Sequence, residues 1–298
     1  MKKTMEIRLY QTRLVQGPIR EGALLCLEDV RGYRGFGEIA PLPQRSRETL
    51  QEALAQLQGH KERILSFDWS MDNLFDELTK LSLYPSVQFG LESALLALLD
   101  PLPPSTKEVS AFLYGTKEQI LKQAKQKQRE GYTSAKLKVS HLPQNQAFSL
   151  VEQLQSMFSL RIDVNRAWET KESLQFFSAF SLNAFDYVEE PFKNPLDLAL
   201  FTHPFAVDES FPDFLSLQDL EKLPRLKALV YKPTVQGGLL SLLPLQRWAI
   251  SRGIQLVLSS SFESSVGLRC IAALADRLSL QAPLGIGTEV CLADHPSW

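Results

Sequence analysis

The chain has 298 residues, 44 % of them hydrophobic and 22 % charged, with 32 basic and 34 acidic side chains and a formal net charge of −2. That length suits two domains, or one large barrel with an appended domain, and the composition excludes disorder, collagen-like repeats and a disulfide-stapled miniprotein. The near balance of charge implies no basic face, so nucleic acid is not an expected partner.

In chain order, the first hundred residues read as strands and then helices. Runs 7–15 and 23–27 are strand-like, and GYRGFGEIAPLPQ reads as a loop punctuated by glycine and proline. The spacing of Leu50, Leu54 and Leu57 predicts a helix capped by Ser46 and stopped at Gly59, with a second helix over 86–99. This order fits an α+β domain over residues 1–104. The basic head of MKKTMEIRLYQTRL is interrupted by Glu6 and Arg8, so no signal peptide is expected. No apolar run is long enough to span a bilayer, which leaves no membrane partner and an expected soluble protein. Cys26, Cys270 and Cys291 lack CxxC or Cys/His spacing, which points to the reducing cytoplasm and away from zinc.

After the prolines at 101–104 the rhythm changes. Short apolar runs at 109–114, 134–139, 161–165, 186–191, 205–210, 228–233 and 254–260 alternate with helical segments. Thr116 with Gln119 forms a capping-box pair for the first of these, and Gly131 ends it. Repeats of about 25 residues predict parallel strands with right-handed crossovers, closing into a (β/α) barrel over residues 105–298. A doubly wound open sheet is the rival, but no GxGxxG opens a helix.

Charge gathers at the carboxyl ends of these strands. Lys136 and Lys138 share one face of SAKLKV, while Ala135, Leu137 and Val139 take the other. Asp163, Glu189-Glu190 and Asp208 follow, and then Lys232. Taken singly, each is more often a solvated strand end or a cap. In this order, all at strand ends, they converge over the mouth of a barrel, where active sites of this architecture sit. Three carboxylates in a partly dry site repel one another unless protonated or neutralised by a hard divalent ion. Oxygen donors without a His or Cys cluster favour Mg²⁺, with Mn²⁺ as a substitute. Lysines on either side of such an ion suit proton abstraction next to a carboxylate, one lysine taking the proton while the other steadies the enediolate.

Lys136-x-Lys138, DVNRAW, VEEP, VDES and YKPTVQGG resemble the muconate-lactonising-type branch of the enolase superfamily, and the resemblance covers nearly the whole chain. It implies a modified (β/α)₇β barrel with an N-terminal α+β capping domain and a short C-terminal return to that cap. It also implies Asp163, Glu189 and Asp208 as Mg²⁺ ligands, Lys138 as the base, Lys232 across the ring from it, and Lys136 as the residue that tunes Lys138. Glu190 is sent to the opposite face by alternation, and Asn165 stands behind Asp163. Ser259, Ser260 and Ser261 are implied to meet the carboxylates of a small-molecule substrate. Loops at 17–22 and 41–43 would close over it, and no organic cofactor is called for. REGALL, GFGEIAPLPQRSRETL, PSVQFGLESALL and SSSFESSVGL place the chain nearest to dehydratases that aromatise a hydroxycyclohexadiene carboxylate. Racemisation of N-acylamino acids, or another epimerase or cycloisomerase reaction of the branch, is the alternative. The run Gly285-Ile286-Gly287-Thr288, where dipeptide epimerases usually carry Asp-x-Asp, argues against those.

Overall fold

The computed structural model describes residues 3–15, 19–294 and 296–298. It opens with three antiparallel strands, β1 (Thr4–Arg13), β2 (Ile19–Glu28) and β3 (Arg34–Ile39), in that spatial order. Three helices follow: α1 (Leu50–Ser66), α2 (Leu74–Thr79) and α3 (Pro85–Leu99). Of the expected loop at 17–22, residues 17 and 18 lie outside the described residues, and 19–22 already belong to β2.

Two local expectations are corrected here. The glycine-rich stretch read as a loop contains β3, because its glycines serve packing rather than turning. A Cβ on Gly37 would stand 1.9 Å from the Gly90 carbonyl oxygen of α3, and one on Gly35 equally close to that of Ala94. Only a strand without side chains at those positions lets the helix backbone lie directly on it. Helix α1 is capped by Thr49, whose hydroxyl accepts from the Glu52 N–H while the Glu52 carboxylate accepts from the Thr49 N–H. Ser46 instead accepts the Leu42 N–H at 2.8 Å. The helix also runs through Gly59, because Ala53, Leu57 and Ile64 continue one buried stripe past it, and burial outweighs the roughly 1 kcal/mol propensity cost of a helical glycine.

Strand and helix then alternate: β4 (Ala111–Leu113), α4 (Lys117–Arg129), β5 (Ser134–Lys138), α5 (Gln144–Leu154), β6 (Ser159–Asp163), α6 (Thr170–Phe177) and β7 (Tyr187–Glu189). Only a 3₁₀ turn, Pro195–Leu200, joins β7 to β8 (Phe205–Val207). The series ends with α7 (Leu217–Leu220), β9 (Leu226–Tyr231), α8 (Pro233–Gln236), α9 (Leu239–Ile250), β10 (Gln255–Leu258) and α10 (Ser265–Arg277). Thr116 and Gln119 form the expected capping box on α4.

All neighbours from β4 to β10 pair in parallel and in sequence order. The ring closes through Leu284 and Gly285. Leu284 bridges to Val109 before β4 and Gly285 bridges to Ser259 after β10, with backbone bonds Ser110 N–H to Leu284 O at 2.9 Å and Gly285 N–H to Leu258 O at 2.8 Å. The eighth strand is thus reduced to two residues, giving the modified barrel. Alternation sends Leu137, Ile162, Val188 and Leu229 outward against the helices, all buried. The inside holds Tyr187, Ala206, Ala228, Val230 and Val257, with Arg161 lying over the Tyr187 ring and donating to Asp186 and Pro283 O.

The cap docks on the barrel through buried carboxylates. Glu38 of β3 accepts the Ser264 N–H at 3.0 Å and the Gly267 N–H at 2.9 Å, at the start of α10. Glu92 of α3 accepts the Leu239 and Leu240 N–H groups at the start of α9. Both occupy the positive ends of barrel helices, where unpaired amides and the aligned peptide dipoles favour an acceptor. Past the barrel the chain returns along β1: Leu292 bridges Leu14, and Val15 N–H donates to Cys291 O at 2.8 Å.

Candidate active site

Register places the charged side chains at one level. Lys138 pairs with Asp163 and Asp163 with Glu189 across β5, β6 and β7. Asp208 follows directly on β8 and Lys232 on β9. The sequence-predicted lysines and carboxylates therefore stand together on the inner rim of five successive strands. Asp163, Glu189 and Asp208 are at most 4 % exposed, and the lysines are largely buried.

The contacts among them are specific. Lys136 Nζ donates to Glu189 Oε1 at 2.7 Å, touches Oε2 at the same distance, and lies 3.0 Å from Asp163 Oδ2. Lys138 Nζ donates to Asn165 Oδ1 at 3.1 Å and stands 3.7 Å from Asp163 Oδ2. Lys232 Nζ donates to Asp208 Oδ2. Asn165 N–H donates to Asp163 Oδ1 at 3.0 Å, so Asn165 touches both the acid and Lys138. Lys136 makes its ion pairs with Asp163 and Glu189.

The electrostatics follow from burial and proximity. Burial opposes the ammonium of Lys136, but Asp163, Glu189 and Asp208 outweigh it and hold its pKa well above the ordinary lysine value. Burial raises Glu189, and the charge of Asp163 raises it further. For Asp208 burial again resists ionisation, yet Lys232 and Lys136 prevail and keep it below the usual carboxylate range.

Among the described residues no trio of acidic, histidine or cysteine side chains already stands as a formed metal cage. The Lys136 ammonium lies between Asp163 and Glu189, and Lys232 is drawn onto Asp208. The donor set nevertheless fits a hard divalent cation. It supplies buried carboxylates on adjacent strands, and the Lys136 ammonium, 2.7 Å from Glu189 Oε2 and 3.0 Å from Asp163 Oδ2, shows that these oxygens already draw a positive charge between them. Clustered carboxylate oxygens that attract a cation, with no His or Cys donor among them, are what Mg²⁺ or Mn²⁺ bind.

Glu190 turns away from this cluster, as alternation predicts, and does so at φ 48°. Its carboxylate accepts the Asp208 and Ser210 N–H groups, each at 2.7 Å, and the Ser210 hydroxyl at 2.5 Å. The hydroxyls of two of the three serines are engaged. Ser259 Oγ donates to Gly285 O at 3.1 Å and Ser260 pairs with Thr288, while Ser261 Oγ is buried without a partner.

Two cavities flank the rim. One of about 260 Å³ is lined by Leu14, Tyr114, Lys138, Asn165, Phe262 and Cys291. The other, of about 540 Å³, is lined by Arg45, Arg47, Asp208, Phe211 and Lys232. Tyr114, Phe262, Arg45 and Cys291 were not singled out for the site from the sequence: Arg45 and Phe262 lie within GFGEIAPLPQRSRETL and SSSFESSVGL, but nothing in those runs says which side chain faces the rim. A cavity of about 720 Å³ at the seam of α3 and α10 contains none of the converging groups.

Residues 119–283 match the family described as enolase C-terminal domain-like, and residues 4–98 match the MenC N-terminal domain. A barrel whose strand ends carry this lysine and carboxylate set, under a cap of this kind, defines a member of the enolase superfamily. The chain is 33 % identical to the o-succinylbenzoate synthase of Pasteurella multocida over 90 % of its own length and 82 % of that relative. With the corresponding enzyme of Haemophilus influenzae the identity is 32 %, with the same coverage. The chain belongs to the o-succinylbenzoate synthase family. Its fold is shared by a mandelate racemase/muconate lactonizing protein from Herpetosiphon aurantiacus, with a TM-score of 0.82 and 19 % identity over 99 % of this chain and 91 % of that one. It is shared too by an o-succinylbenzoate synthase from Thermosynechococcus elongatus complexed with Mg in the active site, with a TM-score of 0.73 and 24 % identity over 99 % and 95 %.

Proposed function

We propose that the protein removes water from 2-succinyl-6-hydroxy-2,4-cyclohexadiene-1-carboxylate to form 2-succinylbenzoate, as a step of menaquinone biosynthesis in the cytoplasm. The observation that carries this reading is the rim itself, where Lys138 and Lys232 stand on β5 and after β9 with three buried carboxylates on the strands between them. Relatives over most of the chain bear the synthase name. Three free thiols and no helix long and apolar enough to cross a membrane, among the described residues, support the compartment.

In this reading Asp163, Glu189 and Asp208 hold Mg²⁺, or Mn²⁺ in its place. The bound ion supplies positive charge at the substrate carboxylate as that group gains electron density. Lys138, as the neutral amine, takes the proton from the carbon beside the carboxylate, and the bonding pair moves into that group as an enediolate. Lys232 faces the ring from the other side and stabilises the anion by its charge. The enediolate then expels the 6-hydroxyl, which takes its proton from the Lys138 ammonium on the same face and leaves as water. Aromatisation drives the step, so the protein has only to lower the anionic intermediate. Asn165 Oδ1 orients the Lys138 amine, and the loop at 41–43 excludes water above it.

The test is an ultraviolet assay of product formation from the cyclohexadiene acid, with and without EDTA. Turnover lost on chelation and restored by Mg²⁺ is expected; turnover unaffected by EDTA overturns the metal assignment. N-Succinylamino acid incubated in D₂O checks the alternative. Exchange and racemisation as fast as dehydration would displace the dehydratase reading.

A further inference from the structure

Arg20, in the second position of β2, is 2 % exposed and, among the described residues, makes no hydrogen bond to a carboxylate. Its guanidinium donates to four backbone carbonyls: Glu21 at 3.1 Å, Ala40, Pro41 at 2.7 Å and Ser261 at 3.3 Å. Those oxygens belong to three separate segments: β2 itself, the loop after β3, and the serine turn between β10 and α10. A buried cation is an expensive way to satisfy carbonyls unless holding them in one geometry matters. The planar fork of five donors is suited to that task, and a lysine could not span it.

The serine turn is gripped from its other side as well. Glu263, fully buried, accepts the Ser261 N–H on Oε2 at 2.6 Å and lies within the field of Arg20. Both backbone polar groups of Ser261 are therefore fixed, while its hydroxyl has no partner among the described residues. Glu38, two residues before Ala40, anchors the far end of the same turn through the amide and hydroxyl of Ser264. The Arg20–Ser261 bond joins cap to barrel, so it exists only while the cap is seated.

We propose that Arg20 is a positioning residue that sets the Ser259–Ser261 turn for substrate carboxylate binding and ties it to the 40–41 loop, so that seating the cap and forming the binding site are one event. This rests on the dehydratase reading above. Arg20→Met and Arg20→Lys are compared with the wild type by steady-state kinetics on the cyclohexadiene acid and by amide hydrogen exchange. For R20M the expected result is a KM raised about tenfold or more with kcat within about threefold. Exchange in 258–264 is expected to speed by about tenfold while 159–165 is unchanged. R20K, which keeps the charge without the fork, should fall between, and carries the comparison alone if R20M does not fold. A merely structural role would lower the melting temperature and kcat with KM unmoved, and that result overturns the proposal, as does unchanged exchange in the turn. If the wild type fails to dehydrate the acid, the functional reading falls, and the exchange data alone then decide whether Arg20 holds the turn.

Discussion

Two side chains at the rim illustrate how far residue identity alone carries the chemistry. Lys138 was visible in the sequence because a two-residue period puts it on the face of Lys136 and at the end of an apolar run. The structure adds the contact with Asn165 at 3.1 Å that aims it. Lys138→Ala is expected to lower kcat by about 10²- to 10⁴-fold, the usual contribution of a positioned base, while calorimetry still registers Mg²⁺ binding. Retained turnover would take Lys138 out of the chemistry. Glu190 was legible only by exclusion. Alternation removes it from the inner face, but no pattern announces a left-handed residue whose carboxylate takes the amides of Asp208 and Ser210 on the next strand. An amide in its place keeps the shape but can put an –NH₂ where Oε2 now accepts the Ser210 hydroxyl. Glu190→Gln should therefore loosen Asp208 and, if the proposed ligand set holds, weaken Mn²⁺ binding by roughly tenfold or more, with little change in melting temperature. Unaltered affinity by paramagnetic titration would show that Asp208 holds its place without help.

At the scale of elements, the barrel units were legible because buried parallel strands are short apolar runs separated by amphipathic helices. The cap was less so. Strand β3 escaped notice because RGFGEI spends two of its six positions on glycine, a turn signal in most settings. Here it marks the approach of α3, where a Cβ on Gly37 would stand 1.9 Å from Gly90 O. Gly37→Ala cannot be absorbed by a side-chain rotation, since the obstacle is backbone. It should cost about 3 kcal/mol or more, in the range of overpacked core sites, read as a lower urea midpoint. At the start of α1, Thr49→Ala removes one side of a reciprocal cap at an exposed helix end, and about 1 kcal/mol is expected. A drop as large as that for G37A would mean that α1 is held by its cap rather than by Ala53, Leu57 and Ile64.

Across the whole molecule, what the sequence could not reveal is how cap and barrel meet, because the joining groups are single acids far from the partners they serve. Glu92 sits 147 positions from the Leu239 amide it accepts. It occurs in a helix whose other residues from Val87 to Leu96 are mostly buried and apolar, where an acid reads as an interruption. Its environment makes the joint sensitive to pH. Burial raises the Glu92 carboxyl from 4.5 to about 7, against the opposing pull of the Leu240 and Leu239 amides and of Gln88. The folded state thus binds this proton more tightly than the unfolded chain does. Below the unfolded value both states are protonated, and the full stabilisation is present. As pH rises through the window between about 4.5 and about 7, the unfolded chain ionises freely while the folded one must keep the proton or bury a charge, so stability falls. At about 1.4 kcal/mol per pH unit, the loss approaches roughly 3 kcal/mol once the folded group has titrated. Glu92→Gln presents a neutral acceptor to the same amides at every pH and has no such loss. Urea unfolding of wild type and E92Q between about pH 5 and pH 8 should therefore show the difference in unfolding free energy moving against the wild type by up to about 3 kcal/mol. A difference constant across that window would mean that the start of α9 keeps Glu92 ionised in the fold, with the helix dipole outweighing burial.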